Sequence, residues 1–565
     1  MKIPNNYKIL LFLIIVLALL LRLVWFDQVP PSLYSDEVSQ GYNAFSLLKS
    51  GADEYGKSWP VAFRSFGDWK PPLPTYLIMP AVYLLGLNVW GVRLPGTILS
   101  VFAVILVFLL VRDGLILYEE KTKKLFQRNF IVKIALLSTL FLTISPWHIF
   151  QSRVAMLVNV TFFFLILGLW SFVKSIKNPL YLILCSISMA LSIYSYYGMR
   201  LIVPLLIIFM FIIYPKKHQQ IKYFWLSLIS GLVLLLPLGL AFFKEPDVIF
   251  GRARTVSIFY DQGVRLRVWD WISADGSQLP NWLIRFFHNK PHTYLWAILN
   301  NFFVHLDGRF LFLNGDQQFP FQLPGTGVLY LLDAVFILCG IYYLIRNHRK
   351  ILNWLIYLVG IFIIPAALTF VTPASNRAFN LVLINSFVTA IGAIRLYQIA
   401  PQKFKNILLL LISLGYAVST SQFINIYFIK LPKLYADRWH YGYKQLFAKT
   451  EPLSNKYDQL VIAGPTTVSY IFLLFYLQES PQYISSNIDR NLTADIYGFE
   501  SVDRYGNYYF PRDFNWSVDK NSYNEHTLYA LTEKVVLDED AKIIDHIYYP
   551  NGQVVFNLVE KINSK

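Results

Sequence analysis

Apolar runs long enough to cross a bilayer recur along this 565-residue chain from near its start to residue 428. A spanning helix needs about 20 such residues. The runs fall near 8–26, 90–111, 131–146, 157–174, 179–197, 199–214, 222–243, 325–345, 351–371, 378–398 and 406–428. They predict a polytopic α-helical membrane protein with about eleven transmembrane helices. Composition agrees, since 55% of residues are hydrophobic and only 15% charged, too apolar for a soluble enzyme of this size. Aromatics, at 17%, suit interfacial belts. The first run has no small-residue cleavage site and reads as a retained helix.

Charge gives an orientation. The loops "RDGLILYEEKTKKLFQRNFIVK", "KSIKN", "YPKKHQQIK", "RNHRK" and "RLYQIAPQKFK" alternate with the runs, and all are basic. That is the positive-inside pattern, with the N-terminus cytoplasmic in a plasma membrane. An odd number of spans then places the C-terminal segment outside. The net charge of +16 is spread between apolar runs. It excludes nucleic acid as a partner and favours anionic lipid or a phosphate-bearing substrate. Cys185 and Cys339 lie inside apolar runs, so neither a disulfide framework nor a thiolate metal site is expected.

These alternations divide the chain into a membrane domain, 1–430, with large outer segments at 27–89 and 244–324, and a soluble extracytoplasmic α/β domain, 431–565. In the latter "DQLVIAG" and "TLYALTEKVV" read as strands. "IIDHIYYPNGQVVFNLVEK" reads as a hairpin turning at Asn551-Gly552. "IFLLFYL", 471–477, is too short to span and reads as a core helix.

The unusual charges gather on the outer side. In "PPSLYSDEVSQGYNAF", 30–45, Pro30 and Pro31 end the first run, Ser35 is a candidate N-cap, and Asp36 and Glu37 open an amphipathic helix. Acids there also favour the helix dipole. Neighbouring side chains on a helix point roughly 100° apart, so one acid works and the other supports it. In "FGDWKPPLPTYL", Lys70 precedes two prolines that hold its backbone extended. A point charge so placed suits a phosphate, and a lysine at this depth can also snorkel. Arg153, Arg200 and Arg377 occupy three further outer turns. Each alone reads as an interfacial anchor; together with Lys70 they form the cluster a phosphate headgroup needs. His305, Asp307, Arg309 and Asp316 are candidates for a polar cluster. No tight ligand spacing supports a metal. His148 and His288 read as interfacial.

In order and topological side, the acidic pair, "KPPLP", "NVWGVRLPG", "SPWHIFQSRVAMLVN" and "SYYGMRLIVP" resemble the polyprenyl-phosphate-sugar glycosyltransferases of the GT-C fold. That superfamily contains the protein O-mannosyltransferases and aminoarabinose transferases, and the resemblance is to its bacterial-type members. It implies transfer of a sugar from a polyprenyl-phosphate donor to a glycan, lipid or protein acceptor at the non-cytoplasmic face. It implies Asp36 as general base with Glu37 as its partner acid, and Lys70 on the donor phosphate. Arg153, Arg200 and Arg377 match the family's phosphate-binding cations more loosely. No cofactor is implied with certainty. Some relatives carry a further acid after the counterpart of Arg153, whereas this chain has Asn159, which argues against a divalent metal bridged between two acids.

The chemistry is consistent with those roles. A departing phosphate monoester needs cations more than a proton, while an attacking hydroxyl needs a base. Displacement with one base inverts the anomeric carbon; adjacent carboxylates are badly placed for the double displacement that retains it. The main alternative is a transporter or flippase for a lipid-linked anion. That would show ionisable residues or broken helices at mid-membrane, and the runs carry few interior charges. A further alternative is a sensor or assembly protein working through the tail.

Overall fold

The computed structural model describes residues 4–122, 128–213, 221–276, 279–316, 318, 320–323, 325–495 and 498–562. The chain folds as two compact units. One comprises Met1–Val24, Ile98–Ser152 and Leu157–Phe423; the other comprises Trp25–Thr97, Arg153–Met156 and Ile424–Lys565.

The first unit is helical. All eleven apolar runs fall on helices, from Asn5–Leu23 through Leu157–Ser175 and Leu381–Ile399 to Lys405–Ile424. Among the described residues seven helices are long and apolar enough to cross a membrane, or eight if Asn129–Ile144 and Pro146–Ser152, bent by 60°, count as one span. The difference from eleven lies in helix ends. The run at 179–197 is trimmed to Tyr181–Ile193. Asn178 turns the chain into it by accepting the Leu180 N–H, and backbone turns from Tyr194 to Met199 close it. Met199–Ile213 is likewise a shorter apolar helix, and Leu331–Asn347 has 17 residues. Of the basic loops, 123–127 and 214–220 lie outside the described residues. The segment expected as a large outer loop holds the helices Asp247–Val256, Gln262–Asp275, Asn281–Phe287 and Lys290–Val304.

Leu331–Asn347 and Leu381–Ile399 approach through small residues. A Cβ on Gly392 would stand 1.8 Å from the Phe336 carbonyl oxygen, and one on Gly340 would stand 2.4 Å from that of Val388. Paired glycines let helix backbones pack without intervening side chains.

The second unit is α/β. Its seven-stranded sheet runs in the order Ile488–Asn491, Ser501–Tyr505, Tyr508–Tyr509, Gln459–Ala463, Thr527–Leu531, Val554–Lys561, Ala541–Tyr548. The Gln459–Ala463 strand is parallel to both its neighbours, and the other pairings are antiparallel. The last two strands form the expected hairpin, with Gly552 at φ 86° and its N–H donating to the Tyr549 carbonyl at 2.9 Å. "TLYAL" is a strand, whereas the following residues turn, the Val535 N–H donating back to the Thr532 carbonyl.

The tail packs one core from its own residues, Val461, Trp516, Tyr529 and Val559 among them, and shares a second with residues far upstream. The Tyr470–Tyr476 helix is buried along almost its whole length and packs against Ser35–Ser50. Leu33, Val38 and Tyr42 share one apolar cluster with Phe472, Leu528 and Phe556. The Tyr42 hydroxyl also donates to the Glu479 carbonyl at 2.7 Å. Residues from 25–97 thus supply part of this core and belong to the same compact unit as the tail. A strand-and-turn pattern marks the sheet locally, but nothing in it reports which distant segment covers the sheet's apolar face.

Gly41 is the closest point of that packing. A Cβ there would lie 2.6 Å from a Val92 methyl and 2.8 Å from the Phe475 ring. Overpacking of this kind costs about 1–3 kcal/mol. Gly41→Val should therefore lower the melting temperature of the purified protein; an unchanged melting temperature would contradict the tight packing.

Candidate active site

The helix Ser35–Ser50 starts one residue earlier than its polar pattern suggests. Tyr34 is the cap, extended at φ −76° and ψ 157°, and its N–H donates to Glu37 Oε2 at 2.9 Å. An acid three residues into a helix can fold back onto the cap in this way. The helical turn then sends Asp36 and Glu37 to different surroundings.

Glu37 points inward. Its carboxylate receives Arg93 Nε at 2.8 Å and Nη2 at 2.9 Å, and the Ala155 N–H at 2.8 Å. Both side chains of this ion pair are fully buried. Arg93 also donates to the carbonyls of Pro30 at 3.2 Å and Ser32 at 2.6 Å. A buried ion pair is tolerable only when its remaining donors and acceptors are satisfied, and here the two-pronged Arg–carboxylate contact is completed by main chain on both sides. Glu37 is thus a positioning residue, clamping the start of the helix to the chain that precedes it and to residue 155.

Asp36 points the other way and keeps 29% of its side chain exposed, with Lys70 Nζ 3.1 Å from Oδ1. Lys70 ends the strand Asp68–Lys70, which pairs with Phe63–Ser65 in a two-stranded hairpin, so its backbone is extended as the prolines after it require. Its ammonium also lies 3.5 Å from Asp68 Oδ2. Lys70 therefore bridges two carboxylates and has a third N–H to offer. Among the described residues no three His, Cys, Asp or Glu side chains gather as a metal site would need.

The expected arginines behave differently. Arg153 is fully buried and donates from Nη2 to the carbonyls of Trp25 at 3.1 Å and Val29 at 2.9 Å. Its guanidinium lies over Phe428 at 4.7 Å. It ties down the chain leading to the acidic helix. Arg200 and Arg377 belong to the other unit. Arg200 donates to the carbonyls of Val248 and Ile249 at 3.1 and 2.7 Å. Arg377 donates to Thr369 Oγ1 and the Val371 carbonyl, each at 3.1 Å.

The cluster expected at 305–316 splits in two. Asp307 and Arg309 pair with each other on the surface. His305 and Asp316 instead fasten the turn that carries Arg377. The Ala374 N–H donates to His305 Nε2 at 3.0 Å, and the Ser375 N–H donates to Asp316 Oδ2 at 2.7 Å. Burial pulls the His305 imidazole down to about 4 and pushes the Asp316 carboxyl up. His148 is buried within the protein, with Nδ1 2.6 Å from Arg22.

Three residues escaped the sequence reading. Arg93 sits in the quoted "NVWGVRLPG", and an arginine opening an apolar helix is the signal that could have found it. Asp68 lies two residues before Lys70. His440 comes from the tail, and nothing local to "RWHYGY" links it to the acids. Its ring lies against Tyr34, tilted by 33° with centroids 4.8 Å apart. Burial pulls it down to about 4, with the Asp36 carboxylate opposing that shift.

No family model and no curated protein matches the sequence. Solved structures do. ArnT from Cupriavidus metallidurans bound to undecaprenyl phosphate superposes over 100% of this chain and 99% of its own, at 13% identity and a TM-score of 0.50. The Archaeoglobus fulgidus oligosaccharyltransferase in complex with Zn and sulfate covers 83% of this chain and 61% of its own, at 13% identity and a TM-score of 0.47. The likeness to ArnT gives this chain the GT-C fold expected from the sequence.

The buried pair sets a stability test. Breaking such a pair on one side costs about 3–5 kcal/mol. Arg93→Ala, which strands the Glu37 carboxylate, should lower the melting temperature markedly. Glu37→Leu combined with Arg93→Met should recover most of the loss. Wild-type melting of Arg93→Ala would contradict the clamp.

Proposed function

We propose that this chain is an inverting membrane glycosyltransferase. It moves a sugar, hexosyl or pentosyl, from a polyprenyl-phosphate donor to an acceptor hydroxyl at the non-cytoplasmic face of the plasma membrane. The observation that carries the reading is the division between the two acids. Glu37 is spent on a buried clamp, which leaves Asp36, partly exposed and paired with Lys70, as the acid open to a substrate. The fold shared with an ArnT bound to undecaprenyl phosphate supports a lipid-phosphate donor.

In this mechanism the acceptor oxygen attacks the anomeric carbon as its proton passes to Asp36, and the bond from that carbon to the phosphate oxygen breaks. The polyprenyl phosphate leaves as an anion. Lys70, 3.1 Å from Asp36, meets it with its remaining N–H. Lys70 carries the phosphate role here, because Arg153, Arg200 and Arg377 are engaged with main-chain carbonyls. The topology that fits is about eleven crossings with the N-terminus cytoplasmic and residues 431–565 outside, supported by the five basic loops. A flippase would share the need for cations but gives a base nothing to do.

General-base catalysis is worth roughly 10²–10⁴-fold. In a reconstituted assay Asp36→Asn should melt like the wild type and lose transfer by that factor; normal transfer would sink the base assignment. Lys70→Ala should raise the KM for the donor more than that for the acceptor, and an unchanged donor KM would remove Lys70 from the phosphate.

A further inference from the structure

Lys70 stands on the hairpin of Phe63–Ser65 and Asp68–Lys70, opposite Phe63 in its register. A two-stranded hairpin is at best marginally stable by itself, so its position is set by what it packs against. Its turn is Phe66-Gly67, at φ 55° and 81°, the two left-handed residues that suit a tight antiparallel connection. Phe66 is buried, with its ring edge-on to Tyr470 at 6.1 Å. Ser65 Oγ lies 2.7 Å from Ser39 Oγ, on the helix of Asp36. One tail residue, Glu500, grips the turn in three ways. Its N–H donates to the Phe66 carbonyl at 3.2 Å. Its Oε1 receives Arg64 Nη2 at 2.6 Å. Its Cγ packs on Gly67, where an added Cβ would stand 2.9 Å away. Glu500 directly precedes the strand Ser501–Tyr505 of the seven-stranded sheet, so the grip is anchored in the tail. Its Oε2 is buried with no hydrogen-bond partner among the described residues, a cost that stability alone does not explain.

We propose that Glu500 is a positioning residue for Lys70: by holding the turn of the hairpin, the tail fixes where the ammonium meets the phosphate of the lipid donor. The inference rests on the transferase reading, in which Lys70 contacts that phosphate. The lysine stem is flexible, but its ammonium lies 3.5 Å from Asp68 Oδ2 on the same strand, and it therefore moves with the hairpin. Asp36 is anchored separately, on the helix whose start is clamped by Glu37 and Arg93. Releasing the grip thus displaces the cation relative to the acid. The loss falls on recognition of the phosphate, and the lipid chain is bound as before.

The test measures binding of undecaprenyl phosphate, and of undecaprenol as the phosphate-free control, to the full-length protein in lipid nanodiscs. Lys70→Ala should weaken binding of the phosphate roughly 10-fold, the loss of one charged hydrogen bond, and leave undecaprenol unchanged. Glu500→Ala should weaken the phosphate alone, by about 5-fold, and should have no further effect once Lys70 is alanine, because the two residues act as one unit. Glu500→Gln keeps an oxygen for Arg64 and should recover most of the affinity. Gly67→Ala, which crowds the grip from the turn side, should reproduce the selective loss without touching Glu500. Equal weakening of both lipids by Glu500→Ala would overturn the proposal, and so would an undiminished effect of Glu500→Ala in the Lys70→Ala background. Either result, with the wild type still preferring the phosphate, leaves the donor reading standing. A wild type that binds the two lipids alike would instead defeat the lipid-phosphate donor, and the role of Glu500 would fall with it.

Discussion

The ion pair between Glu37 and Arg93 is the constraint on which the candidate site depends. Both groups are fully buried, and their hydrogen bonds reach four stretches of chain: the loop at Pro30 and Ser32, the cap at Tyr34, the first turn of Arg93's own helix, and Ala155. A charge placed there unpaired would be costly, so the stretches are held together by the requirement to satisfy it. The Ser35–Ser50 helix inherits its starting point from this clamp, and with it the direction in which Asp36 faces. Arg153 reinforces the arrangement from the other end by holding the carbonyls of Trp25 and Val29.

The same unit explains why a sheet-bearing tail belongs to a membrane protein of this kind. Tyr42 and Val38, on the acidic helix, are buried in one core with Phe472 and Leu528 of the tail. Asn43 Nδ2 donates to the buried Glu54 at 3.1 Å, and Glu54 in turn receives the Tyr470 hydroxyl at 3.1 Å. The helix that carries Asp36 is thus packed and hydrogen-bonded by residues more than 400 positions later. The tail is part of the scaffold that fixes the acid, and through His440 it reaches the acid's own surroundings.

Much of the architecture was legible in the sequence because the signals are local. Apolar runs marked the long membrane helices, "DQLVIAG" and "TLYAL" read as the strands Gln459–Ala463 and Thr527–Leu531, and Asn551-Gly552 marked the hairpin. Asp36 and Lys70 were legible as candidates for one group, and they meet at 3.1 Å. What was hidden is non-local. An arginine in a turn looks the same whether it faces a ligand or holds a carbonyl, so the main-chain contacts of Arg153, Arg200 and Arg377 were not legible. Arg93 was passed over because its partner lies 56 residues away. His440 gave no signal, because its proximity to Asp36 follows from the shared core and from no pattern in its own neighbourhood. The compact unit that holds the tail also takes in Trp25–Thr97, a grouping that no local pattern reports.

The central claim is that Asp36 acts as the base that transfers a sugar from a lipid phosphate. The most direct measurement is mass spectrometry of polyprenyl-phosphate sugars in cells from which the protein has been removed, and then in the same cells supplied with wild-type protein or with Asp36→Asn. The account predicts that one sugar-loaded lipid accumulates on removal, is cleared by the wild type, and persists with Asp36→Asn. No accumulation on removal, or clearance by Asp36→Asn as complete as by the wild type, would contradict it.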